Sequence, residues 1–246
     1  MPVKIKPDLS AAFWRNYFRI YDRLAATRTN RRLIGRAVDY LRVGPGEAYL
    51  DLGCGTGNST AEIVRRGGEV LGLDLSTFGL TRAQTKVPKA GFVKADMDQS
   101  LPLAPGSLSG ALAINSLYLS HRPEQVLGEV FVILKPGGRL VISNPRRGAF
   151  PQKILEEELQ LEKEYLQMRY DWLNAKIRLA VKTAIRLADF AVFLPFQLVL
   201  KQESPHFEHA EFWGTRAKAA GFSIESVDNT LYGGQNDTLV LVKPLR

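Results

Sequence analysis

Three aspartates and three glycines define the chemistry open to this sequence. In "YLDLGCGTGNST" (49–60), Gly53, Gly55 and Gly57 alternate directly behind the apolar run Ala48–Leu52, and Asp51 stands two residues before the first of them. Glycine lets a backbone come close to a ligand, and the carboxyl edge of a sheet supplies the crevice. A dinucleotide fingerprint, G-x-G-x-x-G, would need glycine at position 58, where Asn58 stands. A pyrophosphate would be repelled by the nearby Asp51 carboxylate, whereas an ammonium or sulfonium would be attracted. Asp74 closes the next apolar run, "EVLGLD" (69–74), and can accept both hydroxyls of a ribose. Asp96 closes a third, "GFVKAD" (91–96), where it could take the exocyclic amine of a purine. Three acids capping separate turns would account for each position singly but not for their shared placement.

Those residues need a scaffold that ends successive strands along one edge. Strands are expected at 48–52, 69–74, 91–96, 107–115 and 139–144, with helices at 58–66, 76–86 and 123–134 between them. Gly79 weakens the second of these helices. Strand–helix alternation of this kind predicts an α/β fold, a doubly wound, mainly parallel sheet. Residues 11–41 read as two helices broken near Thr27–Asn30. Residues 152–201 contain no glycine and only Pro195, which predicts one or two long helices with a bend at Leu194-Pro195. A helix over 209–222 and two strands, "SIESVDNTLY" and "DTLVLVKP", complete a seven-stranded arrangement with an antiparallel pair at one end. This gives N-terminal helices over 1–45, a core over 46–150 and 206–246, and a helical insertion over 151–205.

With these motifs in place, the chain resembles the class I S-adenosylmethionine-dependent methyltransferases, in particular their small-molecule, quinone-methyltransferase-like group. "YLDLGCGTGN" resembles the family's first motif, "VLGLDLS" its second and "VKADMDQSLPL" its third. The stretch "ALAINSLYLSHRPEQVLGEVFVILKPGGRLVISNPRRG" is similar to the family's path from fourth to fifth strand. The resemblance covers 48–147 well and the C-terminal strands loosely. It implies a Rossmann-like core that binds S-adenosyl-L-methionine. Gly53, Gly55 and Gly57 would lie under the methionine part, with Asp51 near its amino group. Asp74 and Leu75 would border the ribose, Asp96 and Met97 the adenine, and Asn115 the methionine and acceptor. The family's N-terminal Tyr-Asp pair is Tyr21-Asp22 here, so Tyr17 or Tyr21 would cover the cofactor.

Methyl transfer from a sulfonium is a displacement with an excellent leaving group, so alignment matters more than a fixed catalytic triad. Base candidates are His121 and Tyr118 after the fourth strand, with His206 and His209 near the end of the insertion. Cytosine-C5 chemistry needs a cysteine nucleophile, and the only cysteine, Cys54, lies in the glycine loop. Enzymes acting on exocyclic amines of bases carry a Pro-Pro-aromatic turn where this chain has Asn115-Ser116-Leu117-Tyr118. Nucleic acid is therefore disfavoured. An RNA substrate stays open only through the basic N-terminal segment, since residues 1–45 contribute +7 of the net charge of +8. A non-catalytic cofactor-binding module is the other alternative. No metal site is expected.

The insertion bears on the acceptor. "KIRLAVKTAIRLADFAVFLPFQLVL" (176–200) spaces Arg178, Lys182 and Arg186 four apart among apolar residues. A lid would turn its apolar side, with Phe193 and Phe196, over the acceptor pocket beside Tyr17 and Tyr21. An interfacial helix would use the basic row and the apolar surface on anionic lipid. Both readings favour a small, apolar acceptor. Without a run of about 18 apolar residues, a membrane span is not expected. The single cysteine and the absence of an apolar leader in "MPVKIKPDLS" suggest a cytoplasmic protein, or one peripheral to a membrane through 176–200.

Overall fold

The computed structural model describes residues 11–203 and 206–245, with the side chains of 201–203 left aside. Lys4, Lys6 and Asp8 of the basic segment lie outside the described residues. Five parallel strands alternate with helices: β1 (Ala48–Leu52), β2 (Glu69–Asp74), β3 (Gly91–Lys94), β4 (Leu108–Ile114) and β5 (Leu134–Pro145). Two further strands, β6 (Ser223–Asp228) and β7 (Asn236–Val242), complete a seven-stranded sheet in the order β3-β2-β1-β4-β5-β7-β6. β7 is antiparallel to both β5 and β6. The strand order reverses between β1 and β4, and a doubly wound sheet opens its ligand crevice there, at the carboxyl ends. Pairing of Leu52 with Leu73 and of Asp74 with Lys94 brings the carboxyl ends of β1, β2 and β3 to one edge.

The helices are α1 (Ala11–Ala25), α2 (Arg28–Leu41), α3 (Asn58–Arg65), α4 (Thr77–Lys86), α5 (Pro123–Ile133), α6 (Pro151–Arg169), α7 (Trp172–Glu203) and α8 (Ala210–Ala219). The break between α1 and α2 follows from Thr27, whose hydroxyl caps α2 by accepting from Asn30 N at 3.2 Å. Each face of the sheet has its own core. Leu52, Leu127, Leu134 and Trp213 pack on one face, and Leu41, Tyr49, Ile63 and Val240 on the other.

β3 stops at Lys94, which leaves Asp96 in the loop beyond the strand it was expected to close, and two further boundaries shift for local reasons. β5 begins at Leu134, five residues before the expected start, and Lys135–Gly138 is accommodated as an irregularity in its pairing with β4. β6 stops at Asp228, because the Asp228 carboxylate accepts from Thr230 N and Oγ1 and turns the chain. The following Leu231–Gly234 turn holds Tyr232 at φ 58°, in the left-handed region, before β7.

The insertion forms two antiparallel helices that dock on the N-terminal ones. α6 packs on α2, α7 and the Leu231–Gly234 turn, and α7 packs on α6 and α1. The seam is ionic. Arg186 of α7 is only 11% exposed and lies 3.0 Å from Glu158, 3.7 Å from Glu162 and 3.6 Å from Asp189. Thr29 N donates to Glu158 at 3.0 Å, while Arg28, Arg23 and Arg32 pair with Glu162, Asp189 and Glu157. The expected outward row of Arg178, Lys182 and Arg186 is therefore not a row. Arg186 is turned inward, and Arg178 stacks on Tyr170 at 4.3 Å. α7 continues through Pro195 as one assigned helix. From Trp172 to Leu200 it is also long and apolar enough to cross a membrane by length and composition, contrary to expectation. Its scattered charges interrupt every continuous apolar run without making the whole polar.

Candidate functional site

The loop after β1 owes its shape to left-handed backbone at Gly53 (φ 71°), Gly55 (φ 54°) and Gly57 (φ 78°). A Cβ at Gly53 would collide with Ser116 Cβ, and its next neighbour is Met97 Cε at 3.5 Å. Gly53, Met97 and the exit of β4 thus meet at one point. Asp74 braces the loop from the adjacent strand. Its two carboxylate oxygens accept from Gly55 N at 2.9 Å and Ser76 N at 2.8 Å. Burial raises the Asp74 pKa, opposed by those two N–H groups. Leu75 beside it is 54% exposed, an apolar surface next to a carboxylate.

Asp51 lies near the carboxyl end of β1. It is buried, and its Oδ2 accepts from Ser59 Oγ at 2.7 Å and Thr60 Oγ1 at 2.6 Å. The residue expected near an amino group ties the loop to the start of α3. Burial pushes its pKa up to about 6, with Asp74 adding to the rise and the two hydroxyls opposing it. Asp96 is half-buried and accepts from Asp98 N at 2.9 Å. Burial, with Asp51 and Asp74 nearby, raises the Cys54 thiol far above its usual range, which leaves that thiol inert as a nucleophile.

α1 lies across the loop. Phe18 closes on Gly55 and Gly79, and Asp22 accepts from Thr56 Oγ1 at 2.6 Å while pairing with Arg82 and Lys86 of α4. Gly79, the apparent weak point of α4, is explained by this crossing. A Cβ there would meet Gly55 O at 3.0 Å and Phe18 at 3.1 Å. Tyr17 stacks on Tyr21 at 5.3 Å, and it also meets Phe193 at 5.3 Å and Phe196 at 6.2 Å. The two phenylalanines of the insertion therefore reach Tyr17.

Four phenols converge beside the loop. Tyr17 is raised by burial and then by Tyr21, Tyr118, Tyr232 and Asp74. Tyr21 and Tyr118 are raised in the same way, and Tyr232 is pushed up to about 12 by burial and by Glu158 and Glu157. A phenol held this high keeps its proton, so Tyr118 is suited to donate a hydrogen bond and unsuited to act as the base it was a candidate for. His121 is exposed, with its backbone N–H donating to Asp98 at 2.8 Å. His206 has its pKa lowered by burial and by Arg216, and its ring packs on Phe212 and Trp213.

Ser116, Asp98, Tyr232 and Asn236, the partner of the expected Asn115, were not singled out in the sequence. Ser116 Oγ donates to Leu52 O at 2.6 Å and clamps the exit of β4 to the exit of β1. Asn115, left-handed at φ 50°, accepts from Asn236 Nδ2 at 2.7 Å. Asp98 accepts from Ser120 Oγ as well as from His121 N, joining the loops after β3 and β4. Tyr232 enters from the far end of the chain, and the Gly233-Gly234 pair behind it was the visible signal of a special turn.

A family model described as a methyltransferase domain matches residues 50–142, from β1 to β5. Residues 50–142 are thus similar to a methyltransferase domain. The chain is 31% identical over 154 residues to demethylmenaquinone methyltransferase of Renibacterium salmoninarum, covering 59% of this chain and 63% of that one. It is 34% identical over 122 residues to 24-methylenesterol C-methyltransferase 2 of Oryza sativa subsp. japonica, covering 47% and 33%. The match spans less than two thirds of either curated relative. A TehB-like S-adenosylmethionine-dependent methyltransferase from Corynebacterium glutamicum superposes with a TM-score of 0.61 at 17% identity, covering 95% of this chain and all of that one. The [4+2]-cyclase SpnF gives 0.65 at 14%, covering 96% and 95%. The fold of the methyltransferase domain is thereby shown, and the second likeness shows that fold alone does not fix chemistry. S-adenosyl-L-methionine is the cofactor of such a domain. The left-handed glycine loop, the Asp74 carboxylate as acceptor beside it and the open apolar face of Leu75 fit an adenosine with a charged tail.

Proposed function

We propose that this protein transfers the methyl group of S-adenosyl-L-methionine to a small, lipophilic acceptor. The observation that carries this reading is the aromatic cluster beside the glycine loop, with Tyr17 stacked on Tyr21, Phe193 and Phe196 closing on Tyr17, and the buried phenols of Tyr118 and Tyr232 nearby. When bound, the cofactor supplies a methyl group on a sulfonium, ready for direct displacement. Asp74 binds the ribose hydroxyls with the lone pairs left by Gly55 and Ser76. The aromatic faces exclude water and favour a cation over their rings. Tyr118 and Tyr232, protonated at neutral pH, donate hydrogen bonds that orient a polar atom of the acceptor. Asn115, fixed by Asn236, borders the same space.

The relatives named for menaquinone and sterol substrates support an apolar acceptor. Four arginines of the basic N-terminal segment, Arg23, Arg28, Arg32 and Arg42, are paired with Asp189, Glu162, Glu157 and Glu225, so the segment offers RNA less free charge than its sequence suggests. Two measurements test the reading. Asp74→Ala should weaken S-adenosylmethionine binding by about 3 kcal/mol, roughly a hundredfold, through loss of two charge-assisted hydrogen bonds. Unchanged calorimetric affinity in a folded variant would remove the site assignment. Methyl-labelled cofactor incubated with a total lipid extract should leave its label in the organic phase. Label found only in RNA or protein would overturn the acceptor class.

A further inference from the structure

α7 is built inside out. Around its helical wheel, the face turned to α6 and α1 carries Arg186 and Asp189, both engaged in the ionic seam. The opposite face, facing solvent, is apolar for nearly the whole length. Leu173, Ile177, Val181, Ile185, Val192 and Leu198 are each 42–59% exposed, with alanines between them. At 1.5 Å per residue this stripe runs about 38 Å. Ordinary surface helices place these two kinds of residue the other way round.

Within α1 and α7 the exposed charge is of one sign, with Asp171 just before α7 and Glu156 and Glu164 of α6 the exposed acids nearby. α1 lies along the C-terminal half of α7, with Phe13 on Phe196, Tyr17 on Phe193 and Arg23 on Asp189. Between them the two helices expose Arg15, Arg19, Lys176, Arg178 and Lys182, while Arg23 is exposed but paired with Asp189. Among the described side chains of these helices, neither exposes a carboxylate. Asp22 is engaged with Thr56, Arg82 and Lys86, and Asp189 is buried in the seam.

From this we infer that the outer face of α7, flanked by the exposed cations of α1 and α7, docks on an anionic lipid surface. A long apolar stripe needs a partner that removes it from water. A second copy of this chain would bring like-charged flanks together, whereas anionic headgroups complement them while the acyl region accepts the stripe. The helix lies in the interface and does not span, because its charged face is fixed to α6 and α1. The inference deepens the proposed function, since Phe193 and Phe196 of the aromatic cluster belong to the same helix, and a lipophilic acceptor would then arrive from the membrane. It rests on that function only for its purpose, not for its test.

Flotation of the full chain decides it. The wild-type protein should float with vesicles of phosphatidylcholine mixed with phosphatidylglycerol at low salt. It should not float with phosphatidylcholine alone, and high salt should release it. The variant I177S/V181S/I185S/V192S alters only the exposed face and should lower the vesicle affinity more than about tenfold, because apolar burial is lost. R15Q/R19Q should weaken binding to anionic vesicles as well. Calorimetric affinity for S-adenosylmethionine should stay unchanged in both variants, which separates this failure from failure of the proposed function. Absence of flotation, flotation indifferent to either set of substitutions, or retention that only detergent and never salt reverses would overturn the inference. So would a self-association abolished by the serine variant in a protein that does not float.

Discussion

Arg186 offers the most direct test of how the insertion is held. Three buried carboxylates, Glu158, Glu162 and Asp189, face one guanidinium that is itself mostly buried. Arg28 and Arg23 approach the same acids from the edge, with side chains 28% and 64% exposed, so solvent screens them. Replacing Arg186 by Met keeps most of the stem volume and removes the central charge. Truncating one partner of a buried ion network costs about 3–5 kcal/mol, because the remaining charges stay desolvated without compensation. The loss should appear in urea unfolding as a lower midpoint, and in limited proteolysis as cleavage within α6 and α7 before the core. Replacing Glu158, Glu162 and Asp189 together with Arg186 by apolar residues should recover much of that loss. If Arg186→Met costs less than about 1 kcal/mol, the seam does not hold the insertion and the reasoning fails.

Asp51 predicts a pH signature. Its pKa rises from 3.8 to about 6 on folding, so its stabilising contribution is complete below pH 3.8 and is lost as pH rises through about 6. Wild type should therefore lose about 3 kcal/mol relative to Asp51→Asn across that window, and parallel stability–pH curves for the two proteins would contradict this. Gly53→Ala combines a left-handed backbone with a collision against Ser116, and should cost about 2–4 kcal/mol with loss of cofactor affinity, read by thermal shift with and without cofactor. Asn236→Ala removes the donor to Asn115 and should destabilise by about 1–2 kcal/mol in chemical denaturation, with no change expected if Asn115 holds its left-handed conformation unaided.

The parts of the fold that repeat were legible. Apolar runs with Asp51, Asp74 and Asp96 at or just past their carboxyl ends, and glycines after the first, can be read because strand periodicity and turn chemistry are local. Side-chain direction at those positions was not. Whether Asp51 faces a ligand or the hydroxyls of Ser59 and Thr60 depends on where α3 starts relative to β1. The inward turn of Arg186 was equally hidden, since a row of cations spaced four apart looks the same from either side of a helix. It is decided by Glu158 and Glu162, about 25 residues upstream on another helix. Tyr232 and Asn236 reach the site from more than 100 residues beyond Asn115, a separation that no window-based reading crosses.

The Asn236–Asn115 hydrogen bond joins residues 121 apart, and β7 is inserted between β5 and β6. That topology sets an order of events. Parallel strands must wait for their crossovers, and non-local pairing is slow because loop closure precedes its reward. β1 to β5 can associate as the chain emerges, but the left-handed turn at Tyr232 and the clamp on Asn115 form only after β6 and β7 have paired. Binding competence should consequently arise in the last kinetic phase of refolding, later than most of the secondary structure. Until then the apolar side of α7 and the unfilled edge of β5 are exposed together, and during that interval the chain is most prone to associate with its neighbours.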